Sequence, residues 1–164
     1  MIDLGFNRTV AVIQTRMDGS RFPGRAFAQF ANGEPLINVL VKRVQAATTI
    51  EDTVLTFPWD AADTPLNRVA LSFEISNLRG STEDILDRVY KSGISRKAGI
   101  IVRILGDCPL IDPFVIDRCV NQFKQMANVD YLTVRGLPAG VAPSEVISLD
   151  AIEKAWNEAK EPQD

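Results

Sequence analysis

Short apolar runs of β type alternate with amphipathic helical patterns along the whole chain, and this alternation restricts the fold more than any other feature. Residues 9–14 (TVAVIQ), 53–57 and 73–78 read as strands. Residues 99–105 form the most apolar strand segment, interrupted only by Arg103, and 130–134 and 144–148 supply two more. Between them, 35–47 reads as a helix with Leu36, Val39, Leu40 and Val44 on one face, and 65–72 as a shorter helix. Ser81-Thr82-Glu83-Asp84 resembles a capping box with Ser81 as the cap, opening a helix that turns Ile85, Leu86, Val89 and Tyr90 inward. Asp112-Pro113 places a cap before a proline at the first helical position, and Val115, Ile116, Cys119, Val120 and Phe123 follow at core spacing. A last helix over 149–160 turns Ile152, Ala155 and Trp156 inward.

Strands and helices in alternation imply right-handed βαβ units, hence an α/β fold with a mostly parallel sheet covered on both faces. The 164 residues suit one domain spanning 1–164. In such sheets ligands bind beyond the carboxyl ends of the strands. The places to search are therefore just after Gln14, Phe57, Leu78 and Leu105.

Composition removes several chemistries. There is no histidine, so a Ser-His-Asp triad, a Cys-His pair and a His-ligated zinc site are excluded within the chain. The two cysteines, Cys108 and Cys119, are too few for a four-thiolate metal site, and Cys119 falls at helical core spacing. This usage fits a reducing, cytoplasmic compartment. A formal charge of −3 disfavours a general nucleic-acid binder. No apolar run approaches the roughly 20 residues of a membrane helix, and the opening MIDLGFNRTV has no basic leader before an apolar stretch. Neither a membrane nor a nucleic acid is an expected partner.

Three segments at the ligand edge can carry chemistry. About 20 residues without regular pattern separate the first strand from the first helix, long for a compact domain. They contain TRMDGSRFPGRAF, with Arg16, Arg21 and Arg25 against a single acid, Asp18. Gly19, Ser20 and Gly24 allow close backbone approach. Arginines bind phosphate oxygens bidentately, so this loop suits a polyphosphate, although it lacks the Gly-Lys-Ser/Thr of a P-loop. The alternative is a solvated basic loop. In the second segment, Gly106-Asp107 follows the apolar strand, where a carboxylate is placed to hold Mg²⁺ beside phosphates or merely to form a turn with Gly106 and Pro109. In the third, Arg79-Gly80-Ser81, the amides either face an anion or make an ordinary strand-to-helix turn.

Taken together, VIQTRMDGSRFPGR, LRGSTEDILDRVY, IVRILGDCPLIDP and SLDAIEKAWNEAK resemble, in this order, the cytidylyltransferases that activate acidic sugars. These include the acylneuraminate and 3-deoxy-manno-octulosonate enzymes, and the nearest branch looks like the spore coat polysaccharide biosynthesis (SpsF-type) proteins. The resemblance implies a Rossmann-like nucleotidyltransferase fold, a three-layer sandwich. It implies CTP and a sugar as substrates, Mg²⁺ as cofactor, and a CMP-sugar and pyrophosphate as products, for surface polysaccharide synthesis. Arg16, Arg21 and Arg25 would wrap the triphosphate with Gly19 and Ser20. Gly80, Ser81 and Gly106 would border the nucleotide, and Asp107 would hold the metal.

The chain also departs from the family pattern. Arg25 stands where lysine is usual, and Asp18 brings a negative charge into the loop. Thr56-Phe-Pro-Trp-Asp60 replaces a polar turn, and Ala142 stands where a second metal carboxylate is expected. The chain is also shorter than the family's usual length, whose C-terminal part completes the site and often a homodimer contact. Two functions follow: an active CTP-dependent transferase, or a degenerate homologue that serves as a nucleotide-binding or assembly module. A metal-dependent glycosyltransferase is weaker, because no Asp-x-Asp ends a central strand.

Overall fold

The computed structural model describes residues 6–18 and 22–161. Among them, one sheet contains β1 (Arg8–Gln14), β2 (Asp52–Pro58), β3 (Ser76–Gly80), β4 (Ala98–Leu105), β5 (Tyr131–Leu132) and β6 (Glu145–Ser148). The strand order is β3-β2-β1-β4-β6-β5. β1 pairs in parallel with β2 and β4, and β2 with β3. β6 runs antiparallel to both β4 and β5, so the sheet is mostly parallel with an antiparallel edge. The helices are α1 (Leu36–Gln45), α2 (Pro65–Ser72), α3 (Ile85–Ser95), α4 (Pro113–Gln125) and α5 (Leu149–Glu158).

Period-two alternation sends neighbouring strand residues to opposite faces, and both faces are apolar. Ala11, Ile13, Leu55, Phe57, Val102 and Ile104 pack under α1, α2 and α4. Val10, Val12, Val54 and Ile101 pack against Val89 of α3 and against Leu149 and Ile152 of α5. The result is the three-layer sandwich that the alternating pattern implied. Each fully buried aliphatic or aromatic side chain stabilises it by about 1.5–3 kcal/mol.

Several boundaries differ from the sequence reading for local reasons. β3 begins at Ser76 rather than residue 73, because α2 ends in a Schellman turn. There the Ile75 amide donates to Ala70, the Glu74 amide donates to Leu71, and Glu74 takes φ 54°. α3 starts at Ile85 under an Asp84 cap whose carboxylate accepts from the Asp87 amide at 2.8 Å. Ser81 acts one turn earlier, its hydroxyl accepting from the Asp84 amide at 3.2 Å. α1 buries Ile37, Leu40, Val41 and Val44, leaving Leu36 and Val39 half-buried; in LINVLV the apolar period alone leaves the stripe open by one residue. The strand expected over 130–134 shrinks to Tyr131–Leu132.

α5 buries Leu149 and Ile152, whereas Ala155 and Trp156 are exposed. The Trp156 ring instead stacks on Tyr90, centroids 4.8 Å apart, and its indole N–H donates to Asp87 at 3.0 Å. The Asp112 cap of α4 is as expected, accepting from the Phe114 and Val115 amides. No helix among the described residues is long and apolar enough to cross a membrane.

Asp117 of α4 ties down the turn after α1. Its carboxylate accepts from the amides and hydroxyls of Thr48 and Thr49 at 2.7–3.0 Å. Partial burial opposes the charge, but the four hydrogen bonds together outweigh it and lower the pKa. A lowered folded-state pKa means stability present above the ordinary carboxylate range and lost as the pH falls through the folded value. Asp117→Asn should therefore cost about 1–3 kcal/mol in urea unfolding at pH 7. The gap to the parent should close as the solution is acidified below the carboxylate range.

Candidate functional site

From β1 the chain winds outward on one side through β2 and β3, then returns to place β4 on the other side of β1. The carboxyl ends of β1 and β4 thus flank the topological switch point, where two successive crossovers diverge and leave a crevice. The Gly106 amide donates to the Gln14 carbonyl at 2.7 Å, and the Thr15 amide donates to Thr56 at 3.0 Å. A Cβ on Gly106 would lie 2.4 Å from Thr15 Cβ and 3.0 Å from the Gln14 oxygen. Glycine is needed there because two backbones meet.

A cleft of about 240 Å³ opens at this point, with Arg16, Arg25, Thr82, Arg88, Gly106 and Asp107 among its walls. Arg16 leaves β1 directly and lies 3.6 Å from Asp18. The loop then closes on itself, the Gly24 amide donating to Met17 at 2.7 Å. Gly24 takes φ 71°, which a glycine adopts without strain, and a short 3-10 turn, Arg25–Phe27, follows. This places Arg25 Nη1 2.8 Å from Asp107 Oδ2. The first loop and the turn after β4, 82 residues apart at these positions, therefore meet as an ion pair at the cleft. Gly19, Ser20 and Arg21 lie outside the described residues.

Gly80 and Ser81 are near the cleft but do not line it. Gly80 ends β3, and a Cβ there would come 2.6 Å from Arg88 Cγ. Ser81 offers its carbonyl to Arg88 Nη1 at 2.8 Å. Thr82 reaches the cleft instead. Two charged residues missed in the sequence matter here. Arg88 is 2% exposed, on the α3 face that also buries Val89 and Ser92. Its signal was the i, i+3 spacing from Ile85, which puts a cation on an inward face. Asp63, fully buried, accepts from the Met17 amide at 2.6 Å and so anchors the start of the arginine loop. Burial raises the Asp63 pKa, and Asp18 and Asp60 push the same way.

On the far side of Asp107 lies a larger cleft of about 570 Å³. Its walls are mostly apolar, from Leu105, Pro109, Leu110, Val134, Leu137 and Ala142. Glu145 does not face it as a free acid: it pairs with Arg103 at 2.8 Å across the β4–β6 ladder, and Arg103 also donates to the Gln14 side chain at 3.0 Å. Cys108 borders this cleft, and burial, with Asp107 beside it, pushes its thiol pKa up, away from a reactive thiolate. Another cleft, about 260 Å³ near the start of β2, is lined by Glu51, Asp52 and Glu74, with Asp52 paired to Arg8 and Arg96. The switch-point cleft, with three arginines on its walls, is the place for an anion.

The junction can be tested without any ligand. Gly106→Ala should destabilise the fold by about 1–3 kcal/mol, since backbone and the rigid Thr15 side chain must yield. Urea unfolding of the variant beside the parent measures this.

Comparison with known proteins gives the family. The family profile described as Cytidylyltransferase matches residues 10–163. The spore coat polysaccharide biosynthesis protein SpsF of Bacillus subtilis is 26% identical over 150 residues, covering 89% of this chain and 61% of that protein. The 3-deoxy-manno-octulosonate cytidylyltransferase of Solibacter usitatus is 34% identical over 116 residues, 69% of this chain and 44% of that enzyme. A solved cytidylyltransferase from Leptospira borgpetersenii superimposes with a TM-score of 0.88 at 26% identity, covering 95% of this chain and 66% of the other. The chain spans about three fifths of the length of the first relatives it matches. With the profile matched across nearly its whole length, the chain belongs to the cytidylyltransferase family.

Proposed function

We propose that the switch-point cleft binds CTP and that the chain takes part in joining a sugar to CMP with release of pyrophosphate, in surface polysaccharide synthesis. The observation that carries this reading is the convergence of Arg16 and Arg25 with the Gly106-Asp107 turn on one cleft. Arg16 and Arg25, with Arg21 of the same loop, hold the triphosphate by charge-assisted hydrogen bonds. Gly106 lets the phosphates approach the backbone. The larger cleft beyond Asp107 takes the sugar, so that its hydroxyl oxygen meets the α-phosphorus. There a new P–O bond forms as the bond to the β-phosphate oxygen breaks and the hydroxyl proton leaves to solvent. Phosphoryl transfer of this kind asks for alignment and charge neutralisation, which arginines supply without a histidine.

Asp107 fits a magnesium ion that arrives with the nucleotide. Its carboxylate is about one third exposed on the cleft, and Mg²⁺ accepts one or two carboxylates when phosphates and water complete its shell. Bound there, the ion would neutralise phosphate charge. The described residues hold no cluster of three acidic or sulfur ligands. Arg25, now paired with Asp107, would be available to phosphate if that carboxylate held the ion.

One observation favours the second reading, a nucleotide-binding or assembly module without turnover. Ala142 lines the larger cleft where the resemblance expects a metal carboxylate.

Calorimetry with CTP and Mg²⁺ tests the first step. Arg16→Ala should weaken binding about tenfold or more, the worth of one charge-assisted contact. Unchanged affinity in that variant removes the loop from the site. A pyrophosphate-release assay with CTP across acidic and neutral sugars then separates enzyme from module. Release with one sugar class supports transfer, and nucleotide binding without release from any supports the module.

A further inference from the structure

Arg88 is the largest fully buried side chain among the described residues, and its charge is poorly met. Nη1 donates to the neutral carbonyl of Ser81, while Nε is buried with no partner among the described residues. No carboxylate among the described residues lies within ion-pair distance of it. Asp63 attracts it without contact, and the second carboxylate oxygen of Asp63 is itself buried without a partner. Arg16 repels it from another wall of the same cleft. Leaving a cation buried without a hydrogen-bonded counter-charge is costly, and an arginine does not escape the cost by losing its proton. Such a group persists where something else repays it. The fold also makes room for it, since the stem of Arg88 fills the space that any side chain at position 80 would occupy.

We propose that Arg88 is a further anion-binding residue of this cleft, a fixed guanidinium that takes a phosphate oxygen of the nucleotide. The inference rests on the nucleotide reading above. Arg16 and Arg25 stand on a loop and each already has an acidic neighbour. Arg88 stands on a helix, is held by packing and by Ser81, lines the cleft, and has a buried Nε–H with no partner among the described residues. It therefore binds with little loss of side-chain freedom, where the loop arginines must first give up their acids. In this arrangement Gly80 serves the arginine behind the cleft rather than touching the ligand.

Inorganic tripolyphosphate and CTP are the probes, with the full chain. In the parent, the Nε–H resonance of Arg88 should move on titration with tripolyphosphate. Arg88→Met keeps length and removes charge. It should melt at the parent temperature or above, since an apolar replacement relieves the buried charge, yet bind both probes about tenfold more weakly. Arg88→Lys should restore part of the affinity. An unmoved Arg88 Nε–H signal at saturation, or parent-like affinity in Arg88→Met, overturns the proposal. If Arg16→Ala weakens CTP binding in parallel, the nucleotide reading survives that failure. If the parent binds neither probe, both fall. Should Arg88→Met fail to fold, the parent titration decides the question alone.

Discussion

The hydrogen bond from the Gly106 amide to the Gln14 carbonyl closes the seam between β1 and β4, and the geometry of the site follows from that seam. Because the chain leaves β1 in one direction and returns on its other side, no crossover covers the carboxyl ends of these two strands. The cleft is thus a consequence of strand order, and its walls are whatever residues come next in each segment. After β1 those are Thr15 and Arg16; after β4 they are Gly106 and Asp107. Apolar layers on both faces hold the strands in register, and the contacts of Gly106 with Gln14 and Thr15 then fix where the two segments meet.

On that frame the proposed binding would be an exchange of charges. Arg16 has Asp18, and Arg25 has Asp107, both pairs partly exposed and so individually of modest worth. An incoming polyphosphate offers each arginine more oxygens than its carboxylate does. On the proposed reading Asp18, which seemed at odds with a phosphate loop, would be the partner that Arg16 leaves for the ligand. Asp63 acts from below, fixing the Met17 amide and with it the direction in which the loop departs. Arg88 differs from the other two in having no ion-paired acid among the described residues.

How much of this was legible in the sequence depended on range. The strand–helix alternation, the parallel sheet and the Asp112 cap are local patterns, and they were readable because period and capping chemistry act within a few residues. The meeting of Arg25 with Asp107 was only inferable as a shared sheet edge; the ion pair itself is a tertiary fact. Arg88 was passed over because an arginine in an amphipathic helix ordinarily faces water, and only the absent side chain at Gly80 makes an inward course possible. Trp156 erred the other way: its apolar size suggested burial, but a surface stack on Tyr90 with a hydrogen bond to Asp87 suits an indole equally well. The shift of β3 came from a Schellman turn with a non-glycine residue at positive φ, a conformation that Glu74 does not advertise.

The central claim is that an anionic nucleotide enters where β1 and β4 end. Amide ¹H–¹⁵N spectra recorded during titration with CTP and Mg²⁺ test it most directly. The account predicts that the largest shifts fall on Thr15, Arg16, Gly106 and Asp107, with the acidic cleft at Glu51 and Glu74 unmoved. Shifts confined to that acidic cleft, or none at saturating nucleotide, would contradict it.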